Sequence, residues 1–194
     1  MRREKIKEAT REAFIKATKK IIEEQGVQHV TARNVGKISG YSYASIYNYY
    51  EDINDLLVET AIDYLNNSHK HMIKYVKPDM APKEKLFALA KGYVTYLYNN
   101  PELFRVIFII DFGERTIERS MNLTPRAVFE IRKALEEIGE ENLIASVDDT
   151  FKLLSSATHG KLMLAILGRD RISLEQLLDS LKVEIDIIMG GNKQ

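Results

Sequence analysis

The sequence contains no cysteine and only 4 prolines among its 194 residues. Without cysteine, the chain cannot form disulfides, thiolate metal sites or a cysteine nucleophile. No stretch approaches the roughly 20 apolar residues that a membrane-spanning helix needs. The basic N-terminus is followed by residues too polar for the core of a signal peptide. These absences favour a cytoplasmic location, and we expect neither a metal nor another cofactor.

The chain also lacks an excess of either charge, with 28 basic and 28 acidic side chains. Their distribution is uneven, because residues 1–50 hold ten Lys or Arg against five Glu. A basic head on an acidic body suits contact with phosphates at one end only. A chance fluctuation along a solvated helix explains the charges equally well, so charge alone does not decide between these interpretations.

Periodic apolar residues in the first 50 positions predict an amphipathic helix followed by two short ones. The predicted ranges are 4–25, 32–38 and 42–49. Gly26 is expected to end the first helix, while Thr31 and Ser42 are expected to cap the next two through their hydroxyls. In the second helix, Val35 and Ile38 are predicted to face inward.

The remainder of the chain reads as longer helices, separated by proline and glycine. The main predicted ranges are 53–77, 82–99, 146–168 and 173–189. No segment is a convincing sheet strand, since the β-branched run at 106–110 has no partner. The predicted fold is therefore all-α, with an N-terminal three-helix domain over 1–50 and a larger C-terminal helical domain over 51–194.

The stretch TARNVGKISGYSYASIYNYY, from Thr31 to Tyr50, reads as capped helix, glycine turn and capped helix. This is the arrangement of a helix-turn-helix, in which the first helix braces the second against the DNA major groove. If Ile46 faces inward, the opposite face offers small and hydrogen-bonding groups, and Tyr50 joins the core. The candidate DNA-binding residues are Thr31, Arg33, Ser42, Tyr43, Ala44, Ser45, Tyr47, Asn48 and Tyr49. Alternatively, the tyrosines are core or interface aromatics, and the asparagine only ends a helix.

Residues Arg11 to Leu57 resemble the DNA-binding domain of TetR-family regulators. The matching residues are Ala13, Gly26, Val30-Thr31, Val35-Gly36, Ser39-Gly40-Tyr41-Ser42, Ile46-Tyr47-Asn48-Tyr49-Tyr50 and Leu56. Two departures stand out. Gly36 replaces the usual alanine, which should weaken the second helix slightly. Ile53 replaces a frequent lysine that meets a phosphate, so that contact is in doubt here.

The resemblance implies a sequence-specific transcriptional regulator whose larger domain binds a small effector and forms a homodimer. The last two helices, about 146–168 and 173–189, would pair between subunits, and the dimer would bind a near-palindromic operator. Repression relieved by the effector is the usual outcome in the family.

Aromatic and soft side chains in the larger domain suggest an apolar or aromatic effector. The candidate ligand-binding residues are Tyr64, Tyr93, Tyr96, Phe108, Phe129, His159 and Met163. For each of them, ordinary core packing is the alternative interpretation.

The sequence offers little for catalysis. His69 and His71 are two residues apart, so they would diverge on a helix instead of forming a metal pair. Gly40-Tyr41-Ser42 lacks the second glycine and the preceding strand of a nucleophile elbow. We therefore expect no enzymatic activity. The alternative to a DNA-binding regulator is a helical protein-interaction module without specific DNA binding.

Overall fold

The computed structural model describes residues 2–111 and 125–190. Across these residues the regular secondary structure is entirely helical, which confirms the all-α prediction. The helices are α1 (Arg2–Gln25), α2 (Ala32–Ser39), α3 (Tyr43–Ile46), α4 (Ile53–Met72), α5 (Pro82–Tyr98), α6 (Pro101–Phe108), α7 (Arg126–Ile138), α8 (Val147–Ile166) and α9 (Leu174–Ile188). Short 3-10 turns lie at Val27–His29, Ile73–Tyr75 and Glu140–Asn142.

Packing divides the described residues into two compact units. The first contains residues 2–64 and 102–111, and the second contains 65–101 and 125–190. These units reflect which segments pack together, not which segments bind DNA or ligand. The functional division at residue 50 therefore stays a prediction.

The core of the first unit forms where α1 packs against α2. Phe14, Ile21 and Ile22 of α1 are fully buried, as are Val35 of α2 and Ile46 of α3. Burying these large apolar side chains contributes about 1.5–3 kcal/mol each. The three N-terminal helices are therefore held by the amphipathic face that their sequence periodicity predicts.

Two residues assigned to this apolar face are exposed instead. Ile38 is 37% exposed, so the prediction that it faces inward is wrong. The buried residues of α2 are Val35 and Gly36, and with 3.6 residues per turn Ile38 lies more than a quarter turn from the centre of that face. Ile6 is 58% exposed, because the first two turns of α1 lie in solvent.

Helix α3 is shorter than its sequence suggests. It ends at Ile46, whereas we predicted an end near Tyr49. The backbone N–H groups of Asn48 and Tyr49 donate to carbonyl oxygens three residues earlier, at 3.2 and 2.9 Å. The chain thus continues as tight turns, which spacing of apolar residues cannot distinguish from one more α-helical turn.

Side-chain ion pairs connect α1 to the start of α4 within the first unit. Arg11 donates to both carboxylate oxygens of Glu59, at 3.2 and 2.5 Å. Eight residues later on α1 and four residues later on α4, Lys19 pairs with Asp63. A two-pronged guanidinium–carboxylate contact fixes orientation as well as distance. These pairs hold the first half of α4 against α1.

The second unit is built around α5, which packs against α7, α8 and α9. Its buried leucines, Leu86, Leu89 and Leu97, supply the apolar face. Gly92 permits a close approach to the end of α4, because a Cβ at this position would lie 2.6 Å from Cα of Met72. Helices α8 and α9 lie within two residues of their predicted ranges, while α4 ends five residues before the predicted residue 77.

Candidate nucleic-acid interface and ligand cavity

Helices α2 and α3 are each capped by the hydroxyl that the sequence indicates. Thr31 accepts a hydrogen bond from the N–H of Asn34 at 3.2 Å, and Ser42 accepts one from the N–H of Ser45 at 3.1 Å. Between them, Gly40 has φ +79°, a left-handed conformation that glycine adopts without strain. Local chemistry therefore fixes the turn that sets α3 against α2.

Gly36 gives this turn room. A Cβ at this position would lie 2.9 Å from the carbonyl oxygen of Tyr41 and 3.0 Å from the backbone nitrogen of Tyr43. Both atoms belong to the backbone, which cannot move aside as a flexible side chain can. The glycine in this chain thus accompanies a close approach of the turn to α2, in addition to its expected cost in helix propensity.

An aromatic cluster supports α3 from beneath. The ring of Phe14 lies edge-on to Tyr41 and Tyr49, with centroids 5.3 and 5.7 Å away, and to Tyr50 at 6.4 Å. Tyr50 is buried, as we predicted. Its hydroxyl is buried as well, and this burial raises the pKa of the phenol. Edge-to-face packing of this kind adds about 0.5–1.5 kcal/mol per pair.

The residues proposed to meet DNA lie mostly in solvent. Tyr43 and Tyr47 are 62% and 54% exposed. The other exposed candidates are Thr31, Arg33, Ser42, Ala44 and Asn48. Tyr49 and Ser45 are half-buried. Tyr49 is covered by its contact with Phe14, and Oγ of Ser45 lies 2.7 Å from Oγ of Ser42. The side of α3 opposite Ile46 therefore presents hydroxyl, amide and small side chains to solvent.

The start of α4 is less suited to phosphate contact. Ile53, at the position of the frequent family lysine, is half-buried. The N–H of Asp55 donates to Oδ1 of Asp52 at 3.0 Å, and Asp55 in turn accepts from the N–H of Glu51. Three acidic residues thus surround this helix end, and they would repel a phosphate.

A small cavity lies within the second unit, with a volume of about 70 Å³. Its lining residues are Leu65, Ala90, Tyr93, Ala127, Val128, Ile131, Phe151, Leu154, Ser155, Thr158 and His159. The Tyr93 hydroxyl lies 2.9 Å from Nε2 of His159, and Oγ of Ser155 lies 3.3 Å from Nδ1. Burial lowers the pKa of His159 to about 4 and raises the pKa of Tyr93. The imidazole is therefore neutral at pH 7, inside a largely apolar chamber.

Only Tyr93 and His159 of the seven candidate ligand-binding residues line this cavity. Tyr64 lies in the first unit, where the ammonium of Lys19 sits 4.6 Å from its ring centre. The other four also lie outside the cavity. Tyr96 packs against the ring of His71, and Phe108 packs against Phe104. Phe129 and Met163 are exposed. Two signals for this cavity were not recognised in the sequence. One is the apolar residues of α7, and the other is the spacing of residues 151, 155, 158 and 159, which places them on one side of α8.

Apolar side chains remain exposed along α8 and α9. On α8, Leu153 and Leu164 are 50% and 42% exposed, and Gly160 falls on the same helical face. Leu167, directly after the end of α8, is 39% exposed. On α9, Val183 and Ile187 are both 57% exposed. A stripe of this kind, with a small residue at its middle, is typical of a surface that packs against another helix.

Within residues 2–111 and 125–190, no group of three or more metal-ligating side chains comes together. None of the described helices is both long and apolar enough to cross a membrane.

The described residues form an all-helical fold, with a helix-turn-helix near the N-terminus and a cavity among the later helices. Solved structures of TetR-family regulators have the same fold. A TetR-family regulator from Rhodococcus sp. matches with a TM-score of 0.71 at 18% identity, over 93% of this chain and 98% of the other. FadR from Bacillus subtilis, in complex with stearoyl-CoA, matches with a TM-score of 0.71 at 14% identity, over 93% and 98%.

FadR from Thermus thermophilus, a TetR-family repressor in complex with lauroyl-CoA, matches with a TM-score of 0.68 at 17% identity, over 93% of this chain and 94% of the other. No protein-family profile matches the sequence, and no curated protein is significantly similar to it. At these identities the likeness establishes the fold, and each similar structure named here is a transcriptional regulator, not an enzyme.

Proposed function

We propose that this protein is a DNA-binding transcriptional regulator that acts as a homodimer and releases its operator when a small ligand binds. The observation that carries the proposal is the exposed surface of α3 and the turn that follows it, where Tyr43, Ala44, Tyr47 and Asn48 stand in solvent beside the aromatic cluster around Phe14. Such a surface offers hydrogen bonds to phosphates and base edges. Like the transcriptional regulators that share its fold, the protein would then act without catalysis.

The exposed stripe of α8 and α9 supports the dimer. Two such stripes packed together would remove Leu153, Leu164 and Val183 from water, and the helix-turn-helix of each copy would then face one half of a near-palindromic site. Helix-turn-helix dimers bind half-sites one helical turn apart, about 34–36 Å.

The cavity supports a largely apolar ligand with one polar group. Neutral His159 and Tyr93 can exchange a hydrogen bond with such a group, and the remaining lining is apolar except for two hydroxyls. At about 70 Å³ the cavity is smaller than the roughly 300–1,000 Å³ of typical ligand pockets. The long acyl chains seen in the FadR complexes would have to displace lining side chains here. A compact aromatic or short-chain effector therefore fits better.

Selection of bound genomic fragments tests the DNA-binding function. We expect enrichment of an inverted repeat whose binding weakens at higher salt, because phosphate contacts release counterions. If no sequence is enriched by folded protein, with or without cell extract to supply or remove effectors, the protein is an interaction module instead.

A matched pair of variants tests the orientation of α3. Tyr47→Phe should weaken binding to the selected site about tenfold, because it removes an exposed hydroxyl within reach of phosphate. Tyr50→Phe should leave the affinity unchanged, since its hydroxyl is buried and does not face solvent. If Tyr47→Phe binds the selected site as tightly as Tyr50→Phe does, α3 is not part of the DNA interface.

The dimer surface is tested separately by sedimentation. Leu164→Glu should convert dimers to monomers, because it places a charge in the stripe. Ile144→Glu is the control, since this residue is 49% exposed but lies outside α8 and α9. A dimer that survives Leu164→Glu would contradict this assignment.

A further inference from the structure

A second recess in the second unit is much larger than the apolar cavity and chemically different. It is an open groove of about 1010 Å³ between the 3-10 turn after α4, the start of α5 and the end of α9. Its charged lining residues are Lys74, Lys77, Lys83, Lys91 and Lys182, against Asp79, Glu84 and Asp186. The two recesses share no lining residue, so the groove is a distinct feature of the fold.

The positive charge of the groove is only partly neutralised. Lys83 pairs with Asp186 at 2.6 Å, and Glu84 accepts a hydrogen bond from the N–H of Ala81 at the start of α5. The other lysines form no ion pair with a described residue. Several ammonium groups around one recess raise the local concentration of anions, because their fields add across the groove.

Aromatic surface lies among these lysines. Tyr75 and Phe87 line the groove and are half-buried, and the ammonium of Lys91 sits 5.6 Å from the centre of the Tyr75 ring. A planar ring entering the groove would meet these side chains, while phosphates would meet the lysines. The groove is also large enough for a ligand of nucleotide size.

We propose that this groove binds a small anion carrying two or more phosphate groups, either a nucleotide or a free polyphosphate. Ammonium groups on flexible stems serve as point charges for phosphate. Several of them can contact the same bound polyphosphate, whereas a ligand with a single carboxylate offers fewer contacts. This site is independent of DNA binding and of the apolar cavity, so its failure would leave the proposed regulator function intact.

Calorimetric titration of the full-length protein with ADP, pyrophosphate and adenosine tests the proposal. We expect saturable binding of ADP and pyrophosphate that weakens with salt, and much weaker binding of adenosine, which has no phosphate. Tighter binding of ADP than of pyrophosphate identifies a nucleotide site, and equal affinities identify a polyphosphate site. Adenosine binding as tightly as ADP, or absence of binding by both phosphate probes, overturns the proposal.

A matched pair of double variants locates the site. The combination of Lys74→Gln and Lys91→Gln should weaken ADP binding about tenfold, because it removes two charges from the groove but keeps their apolar stems. The control combines Lys16→Gln with Lys133→Gln, two exposed lysines outside the groove, and should bind as the parent does. Equal loss in both, with circular dichroism showing intact helices, would mean that ADP binds through net charge alone.

Discussion

Gly92 allows the packing between α5 and the end of α4 to be tested by a single methyl group. Replacing it with alanine would place Cβ 2.6 Å from Cα of Met72, 3.0 Å from the carbonyl oxygen of His71 and 3.0 Å from the ring of Tyr75. Two of these neighbours are backbone atoms, and ordinary contacts at a Cβ begin at 3.4 Å. The helices must therefore separate by a large fraction of an ångström.

The expected cost follows from two opposing effects. Forcing a methyl group into a packed interface costs about 1–3 kcal/mol, and the backbone contact places Gly92→Ala near the upper end. Alanine also gains about 1 kcal/mol over glycine in a helix interior. The net loss is about 2 kcal/mol in the free energy of unfolding. For a chain of this size, that corresponds to a fall in Tm of about 4–8 °C.

Thermal unfolding followed by circular dichroism, at fixed protein concentration, measures this difference. Gly160→Ala is the control, because a Cβ there meets no other atom within 4 Å and only the gain in helix propensity remains. Because Gly160 lies in the proposed dimer stripe, any loss of stability in its variant should depend on protein concentration, whereas the loss in Gly92→Ala should not. A Gly92→Ala protein as stable as the parent would refute the close approach of α5.

Three further changes test other parts of the fold. Burial lowers the pKa of His159 to about 4, so between about pH 6.5 and pH 4 the unfolded chain binds a proton that the folded chain does not. The free energy of unfolding should therefore fall by up to about 3 kcal/mol as the pH drops from about 6.5 to about 4. Urea titrations at several pH values should show a weaker pH dependence for His159→Gln. Phe14→Leu should cost about 1.5–4.5 kcal/mol in chemical unfolding, because three edge-on ring contacts of about 0.5–1.5 kcal/mol each are lost, and no loss would argue against the aromatic cluster. Lys161→Met should lower the free energy of unfolding by about 1–3 kcal/mol, because Glu184 loses its ion-pair partner while its Oε2 is buried. Adding Glu184→Leu should restore most of the lost stability. If the double variant is no more stable than Lys161→Met, the ion pair is not the cause.

The features that were predictable from the sequence are those decided within a few residues. Thr31 and Ser42 cap their helices, and Gly40 turns the chain, since each acts on backbone groups next to it in sequence. The helix-turn-helix and the succession of helices follow from such signals together with apolar periodicity.

The features that could not be predicted depend on which faces of distant helices meet. Phe129 is aromatic and lies on α7, yet it is 59% exposed, while its neighbour Val128 lines the cavity. Composition identified Tyr93 and His159 but could not separate them from aromatic residues elsewhere, because cavity lining requires the packing of α5, α7 and α8. The end of α3 was missed for a related reason, since a tight turn and a helical turn share the same apolar spacing.

The division of labour around α3 has a consequence for how such a protein changes over generations. Phe14, Tyr49 and Tyr50 carry the packing, whereas Tyr43 and Ala44 contribute little buried surface. In the proposed interface, substitutions at the two exposed positions would alter which DNA sequence is preferred at almost no cost in folding. A duplicated copy of the gene could acquire a new set of target promoters while its scaffold stays under unchanged selection for stability.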